Sequence, residues 1–193
     1  KTGSGKTAAF AIPLITKLNP RDFGTQALVL CPTRELATQV SRSFIKYGKY
    51  LDLKVETLVG GMPMQPQISA LAKGLEVVVA TPGRLLDLLE QRKIDFSSTD
   101  HLILDEVDRM FDMGFILDVK KIIRKIPTSR QTLCFSATIS AALSRFLDRK
   151  LVPGYAEVVV AGRGGSNVGG MVEHLAYATK SGDDAVGSAV VDA

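Results

Sequence analysis

The stretch EVVVATPGRLLDLLEQRK, residues 76–93, places a strand, a short turn and a helix in direct succession. Four of its first five residues are apolar and three of them are valine, which is typical of a strand buried on both faces of a parallel sheet. The segment GRLLDLLEQRK (83–93) has leucines at helical spacing, with polar residues between them. A strand followed at once by an amphipathic helix is the repeating unit of parallel α/β folds.

The same succession recurs along most of the chain. Further strand-like runs are QALVLC (26–31), KVETLV (54–59), HLILD (101–105), TLCFS (132–136) and EVVVA (157–161). Further helical patterns are ELATQVSRSFIKYGKYL (35–51), PQISALAK (66–73), ILDVKKIIRKI (116–126) and AALSRFLDRKL (141–151). The alternation predicts an α/β fold with a mostly parallel sheet and helices on both faces. In such sheets, ligands bind beyond the carboxyl ends of the strands.

Composition sets broad limits on the function. The chain has 193 residues, of which 46% are hydrophobic and 23% charged, so it can bury a core and is not a disordered polyelectrolyte. Its net charge of +4 suits an anionic partner such as nucleic acid, although many other proteins share it. Cys31 and Cys134 lie in apolar runs, which favours buried, reduced thiols and an intracellular location, in cytoplasm or nucleus. No apolar run reaches the ~18–20 residues of a membrane helix, so no membrane partner is expected.

The segment TGSGKT (2–7) has the composition of a loop that binds phosphates. Glycines let successive backbone N–H groups face one anion, and a helix beginning near Thr7 would add its positive dipole end. Lys6 would reach the β- and γ-phosphates, and the Thr7 hydroxyl would hold Mg²⁺. The alternative is a Gly/Ser turn followed by a lysine.

The segment LILDEVD (102–108) is an apolar strand that ends in acids. A carboxylate at this position can hold the Mg²⁺ that bridges two phosphates, and a second can polarise an attacking water. We assign the metal to Asp105 and the water to Glu106. The alternative is a strand that runs into a solvated acidic turn.

Four further strand ends carry small polar motifs. PTREL (32–36) and TPGR (81–84) each supply hydroxyl, backbone N–H and arginine donors that suit phosphates, and Gly60 with Gly61 suits a close backbone approach. SAT (136–138) supplies two hydroxyls that could bond the acidic cluster. Ordinary turns and helix caps are the alternative for each motif.

Taken in order, TGSGKT, PTREL, GG, TPGR, DEVD and SAT resemble the first RecA-like domain of a DEAD-box RNA helicase, over residues 1 to about 150. The stretches DRMFDMGF and RQTLCFSAT share the resemblance. It implies a RecA-like P-loop NTPase fold that binds ATP, Mg²⁺ and RNA, and that couples ATP hydrolysis to local unwinding of RNA duplexes. The RNA, single- or double-stranded, would be held mainly by its phosphate backbone, with marked salt dependence.

The resemblance assigns a role to each matching residue. ATP binding falls to Thr2, Gly3, Ser4, Gly5, Lys6 and Thr7; Mg²⁺ to Thr7 and Asp105, partly through water; and catalysis to Glu106, Asp105 and Lys6. The RNA contacts are Pro32, Thr33, Arg34, Gly60, Gly61, Thr81, Pro82, Gly83 and Arg84. The residues that couple ATP state to strand separation are Asp108, Ser136, Ala137 and Thr138, with Asp108 bonding toward Ser136 and Thr138.

The sequence departs from the family pattern in ways that bear on activity. Val107 stands where the family usually has alanine, which changes packing and leaves every charge in place. We expect residues 1–153 to form the RecA-like domain without its N-terminal segment, and residues 154–193 to form a final strand and a glycine-rich linker or tail. The resemblance also leads us to expect that residues 1–193 do not include the second RecA-like domain, which supplies an arginine finger in the family. We therefore expect a fragment or truncated product of a larger helicase, with weak or undetectable ATPase and no unwinding alone.

Rival functions remain at this point. A P-loop kinase or transporter ATPase would explain the lysine loop and the acids but not PTREL, TPGR or SAT. A DNA helicase of the same superfamily is closer, although DRMFDMGF favours the RNA family. A binding module without enzymatic activity is the third rival, and it predicts no effect of ATP on stability.

Overall fold

The structure, a computed structural model, describes residues 5–19, 22, 24–150, 156–161 and 172–178. Thr2, Gly3 and Ser4, which the sequence assigned to phosphate binding, lie outside the described residues. The described strands are β1 (Ala27–Leu30), β2 (Val55–Leu58), β3 (Val77–Ala80), β4 (His101–Leu104), β5 (Gln131–Ser136), β6 (Ala156–Ala161) and β7 (Val172–Ala178).

The strands form one sheet in the order β2-β3-β1-β4-β5-β7-β6. The first five in that order are parallel neighbours, whereas β7 pairs antiparallel with both β5 and β6. Every residue of β1 and β3 is buried, because helices cover both faces of these central strands. The prediction of an α/β fold with a mostly parallel sheet is confirmed.

Helices follow the strands much as the sequence predicts. The described helices are α1 (Lys6–Lys17), α2 (Arg34–Tyr47), α3 (Met64–Leu71), α4 (Pro82–Glu90), α5 (Val107–Asp112), α6 (Ile116–Ile123) and α7 (Ala141–Lys150). Thr33 caps α2 by accepting the N–H of Leu36, and Pro82 begins α4, where the missing proline N–H costs nothing. The short helix α5 has no counterpart among the predicted helical patterns.

Alternation along the strands divides the core into two clusters on opposite faces of the sheet. Leu28 and Leu30 of β1 point into the cluster that α4, α5, α6 and α7 cover. Ala27 and Val29 point into the other, which α1 and α2 cover. Helices therefore lie on both faces of the sheet, as predicted.

Residues 172–178 form a strand where the sequence predicted a linker or tail. The pattern over these residues is short and weak, so the sequence alone did not separate it from the glycine-rich segment before it. Antiparallel pairing with β5 and β6 supplies the hydrogen bonds that define it as β7. The proposed boundary between a domain at 1–153 and a tail at 154–193 stays a prediction.

Within the described residues, no helix is both long enough and apolar enough to cross a membrane.

Candidate functional site

The carboxyl ends of the five parallel strands meet at one edge of the sheet, and all of the predicted motifs that the structure describes lie there. Backbone hydrogen bonds extend the sheet past the strand ends into three of these motifs. The N–H of Cys31 donates to Ala80 O at 2.9 Å, that of Thr81 to Leu58 O at 3.0 Å, and that of Asp105 to Leu30 O at 2.9 Å. The loops after β1, β3 and β4 are thereby fixed side by side.

The described end of the predicted phosphate loop forms the start of α1. Gly5 adopts a left-handed conformation with φ of 80° and precedes Lys6, the first residue of the helix. No acidic residue lies in the first turn, so the positive end of the helix dipole is uncompensated there. Lys6 and Thr7 are both partly exposed at this end.

Aromatic packing holds this helix end near the acidic motif. Phe10, one turn into α1, packs against Phe135 with ring centroids 5.1 Å apart, and against Phe44 at 6.1 Å. Phe135 directly precedes Ser136 at the end of β5, and β5 pairs with β4, which leads into Asp105. The start of α1 therefore lies at the same edge as the acids.

The acidic motif follows β4 without becoming a solvated turn. Asp105 is only 3% exposed, and Val107 packs into the core at 1%. Glu106 takes up the left-handed conformation with φ of 52° and ψ of 54°, and precedes α5. Its carboxylate is partly exposed and lies 3.7 Å from the Arg109 guanidinium. The alternative of a solvated acidic turn is wrong for Asp105, while the larger Val107 side chain fits the core.

The pKa of the Cys31 thiol is affected by its burial and by the negative charges of these acids. Its pKa is raised well above the ordinary value of 9.0, first by burial and then by the negative charges of Asp105 and Glu106. The thiol is free and stays protonated in the folded chain near neutral pH. Burial likewise raises the pKa of Cys134 to about 12, against the opposing charge of Arg130. Both cysteines are buried free thiols, as the sequence predicted.

The DEVD and SAT motifs are joined by hydrogen bonds. One carboxylate oxygen of Asp108 accepts from the Thr138 N–H at 3.0 Å and from the Thr138 hydroxyl at 2.9 Å. The Asp108 N–H donates to Ser136 Oγ at 3.3 Å, and that hydroxyl donates to Thr138 O at 2.7 Å. The alternative that SAT caps the next helix is wrong, because Ser140 Oγ accepts the Leu143 N–H of α7.

The loops after β1, β2 and β3 bring two arginines to one surface. Arg84 donates through Nη2 to Met62 O at 3.0 Å, while its Nε and Nη1 are buried and have no acceptor among the described residues. The Arg34 side chain crosses Gly61 so closely that a Cβ at Gly61 would overlap its Nη1. Gly61 also has a φ of 72°, and this backbone conformation is the main reason for glycine, since the end of the Arg34 side chain could move aside.

The remaining predicted residues occupy the same surface. Pro32 is buried at the end of β1, and Thr33 caps α2. The Thr81 hydroxyl makes no capping bond to α4. A Cβ at Gly60 or Gly83 would meet no atom within 4 Å, so these two glycines leave open space at the surface. Sequence reasoning missed Met62, whose contribution is a backbone carbonyl that no side-chain pattern reveals.

The donors at this edge suit a hard cation only in part. Carboxylate and hydroxyl oxygens of Asp105 and Thr7 are the ligand types that Mg²⁺ prefers. Among the described residues, however, no group of three or more His, Cys, Asp or Glu side chains could hold a metal ion. The residues therefore fit a Mg²⁺ that takes most of its ligands from phosphates and water, as nucleotide-bound Mg²⁺ does.

The chain is similar in sequence to a known protein family and to several of its members. The family model described as DEAD/DEAH box helicase matches residues 1–146. The chain is 46% identical over 149 residues to the DEAD-box ATP-dependent RNA helicase CshA of Bacillus subtilis, covering 77% of this chain and 30% of that protein. It is 43% identical over 151 residues to the RNA helicase CrhR of Synechocystis, covering 78% of this chain and 30% of that protein.

Solved structures of DEAD box and RNA helicase proteins have a similar fold. A DEAD box protein from Methanococcus jannaschii superposes with a TM-score of 0.74 at 41% identity, covering 78% of this chain and 41% of that one. A hypothetical ATP-dependent RNA helicase from Sulfolobus tokodaii gives 0.68 at 44% identity, covering 79% and 44%. The chain spans less than a third of the length of the curated relatives described above.

The bonds between Asp108 and Thr138 predict a measurable coupling energy. A double-mutant cycle of Asp108→Ala and Thr138→Val, followed by denaturant unfolding, should give about 1 kcal/mol of coupling, because Thr138→Val removes the hydroxyl bond to the carboxylate and leaves the backbone N–H bond in place. Asp112, an exposed acid at the end of the same helix, provides the control. The cycle of Asp112→Ala with Thr138→Val should give none. Equal coupling in both cycles would contradict the observed contacts.

Gly61 and Gly60 form a second matched pair. Gly61→Ala should lower the free energy of unfolding by about 1–2 kcal/mol, because its φ is positive, while the end of the Arg34 side chain moves away from the new methyl group. Gly60→Ala should cost much less, since its Cβ position is open and its φ is ordinary. Denaturant unfolding of both variants checks this, and equal losses would be the contrary result.

Proposed function

The chain belongs to the DEAD/DEAH box helicase family, and on that premise we propose that it is the ATP- and RNA-binding domain of an ATP-dependent RNA helicase. The observation that carries the proposal is the gathering of the α1 start, the acids, the SAT hydroxyls and the two arginines at one sheet edge. Relatives named as ATP-dependent RNA helicases support ATP and RNA as the ligands.

The start of α1 would hold the ATP phosphates. Gly5, in its left-handed conformation, turns the chain into the helix, so that N–H groups of the first turn face outward at the positive dipole end. Lys6 adds a full positive charge at the same place. The residues before Gly5 would complete the loop around the β- and γ-phosphates.

Asp105 would help to hold the metal ion, and Glu106 would orient the attacking water. Mg²⁺, when bound with ATP, would neutralise charge that develops on the phosphates. Asp105 and the Thr7 hydroxyl would hold it, partly through water. Glu106 would orient the attacking water and accept its proton, a role that suits its partly exposed carboxylate.

The loops after β1, β2 and β3 would grip the RNA backbone. Arg84 carries two buried donor nitrogens, Nε and Nη1, without an acceptor among the described residues, which is costly until an acceptor such as a phosphate oxygen reaches them. Arg34 crosses the neighbouring glycine loop, and Thr81 adds a hydroxyl. Such contacts read the backbone and not the bases, so binding would show little sequence preference.

Asp108 would connect the two ligand sites. It lies two residues after Glu106 and is bonded to Thr138, so a shift of the acidic loop on ATP binding or hydrolysis would move the SAT segment. In the full-length protein, a second RecA-like domain would complete both sites and supply an arginine finger. Since such a finger contributes ~10³–10⁵ in rate in related systems, this chain alone would hydrolyse ATP weakly and would not unwind RNA.

Thermal and denaturant unfolding with and without Mg²⁺–ATP tests the ATP site. A ligand present at 100 times its Kd should raise the free energy of unfolding by about 2.7 kcal/mol. Lys6→Ala should abolish that increase, because it removes the charge that reaches the phosphates.

Lys17→Ala is the matched control, since Lys17 is exposed at the opposite end of the same helix. It removes the same charge and should leave the ATP-dependent increase intact. A wild-type chain that unfolds cooperatively with no response to Mg²⁺–ATP would argue for a module without ATP chemistry.

A further inference from the structure

A groove of about 1050 Å³ runs between the exposed face of α2 and the segment from β2 to α3. It begins at Arg34 and Met62, which also belong to the proposed RNA grip, so the groove is continuous with that surface. The remaining residues that line the groove have no role in the function proposed above.

One wall of the groove carries a row of cations. Arg34, Arg42 and Lys46 follow one another along α2 over twelve residues, a rise of about 18 Å. All three side chains are exposed, and none forms an ion pair with a carboxylate of the described residues. The hydroxyls of Thr38 and Ser43 lie between them but donate to the helix carbonyls of Arg34 and Gln39, so the cations alone give this wall its affinity for anions. This wall suits a chain of anionic groups at regular spacing.

The acids of the groove are fewer. Glu56 is tied to its own strand, because its carboxylate accepts the Thr57 N–H at 3.1 Å. Glu35 lies in the first turn of α2, where a negative charge is stabilised by the helix dipole. Cations therefore outnumber acids along the groove, three against two.

The opposite wall is of a different kind. Met62, Pro63 and Pro66 present apolar surface, and Met62 is 57% exposed. Gln67 is 6% exposed, and both of its amide donor contacts go to backbone carbonyls, Val59 O at 3.1 Å and Pro63 O at 3.3 Å. Its Oε1 is buried and accepts no hydrogen bond from the described residues, so a donor that reached it would offset the cost of an unpaired acceptor.

We propose that this groove binds single-stranded RNA that continues beyond the strand-end loops. Phosphates would face Arg42 and Lys46, the apolar wall would contact bases and sugars, and a 2′-hydroxyl would supply the donor that Gln67 Oε1 lacks. The inference rests on the proposed function, because the groove starts where the RNA grip ends. The groove would extend the RNA-binding site of this domain beyond the loops that follow the strands.

Oligouridylates of about 4 and about 16 nucleotides, the range of single-strand site sizes, test it by fluorescence anisotropy with the full chain. Arg42→Ala/Lys46→Ala should weaken binding of the longer RNA about tenfold and reduce its salt slope by about 1.4, or ~0.7 for each lost phosphate contact. Binding of the shorter RNA should be unchanged. The charge-preserving pair Arg42→Lys/Lys46→Arg should bind nearly as wild type does.

Arg92→Ala/Lys93→Ala is the matched control, because both residues are exposed and follow the end of α4, at the opposite edge of the sheet. It removes the same charge and should change neither affinity. An equal loss in this control, an equal loss for both RNA lengths, or no loss in the groove variant would overturn the proposal. The last result is also what a protein ligand for the groove would give.

Binding of the two RNA lengths distinguishes failure of the proposed RNA function from failure of the groove proposal. If the wild-type chain binds neither RNA, the RNA function and the groove both fail. If it binds the short RNA but gains nothing from the longer one, the strand-end grip stands and only the groove is wrong.

Discussion

Parallel pairing of β1 with β3 on one side and β4 on the other is the constraint on which the site depends. Leu30 is in register with both Ala80 and Leu104, so the three strands end at one level. Helices cover both faces of these strands, so a slip of one residue would exchange the side chains of the two core clusters. Leu28 and Leu30 would then stand where the smaller Ala27 and Val29 now pack, and this difference in size fixes the register. The motifs after these strands are therefore neighbours although they are far apart in sequence.

Three of the seven positive φ angles among the described residues lie at this edge. These residues are Gly5, Gly61 and Glu106. Because Glu106 has a side chain, its left-handed backbone conformation costs about 1–2 kcal/mol, which a glycine would not pay. Asp105 and Val107, buried on either side, hold Glu106 in that conformation. Strain at a position with this chemistry is consistent with a site where side-chain direction matters more than local stability.

Much of this was predictable from sequence for a physical reason. Short runs rich in valine and leucine, such as EVVVA and HLILD, favour buried strands, and the predicted strand boundaries differ from the observed ones by a residue or less at most ends. The expected bonds from Asp108 to Ser136 and Thr138 are present, while the coupling role stays a prediction. The site residues after each strand follow from the parallel topology alone.

Other features depend on contacts that no local pattern encodes. The left-handed backbone at Glu106 arises from packing around it, and the Arg84 bond to Met62 O joins residues 22 apart through a carbonyl. Strand β7 is defined by its pairing with β5 and not by its own weak pattern. The unsatisfied Gln67 oxygen appears only when the donors around it are known.

Hydrogen exchange of the backbone amides, measured for the free chain, with Mg²⁺–ATP and with oligouridylate, tests the central claim most directly. If one edge of the sheet holds both ligands, ATP should slow exchange at residues 5–9 and 105–108, and RNA at residues 33–36, 59–62 and 81–84. Protection by either ligand centred on residues 91–100, at the opposite edge, would contradict the account.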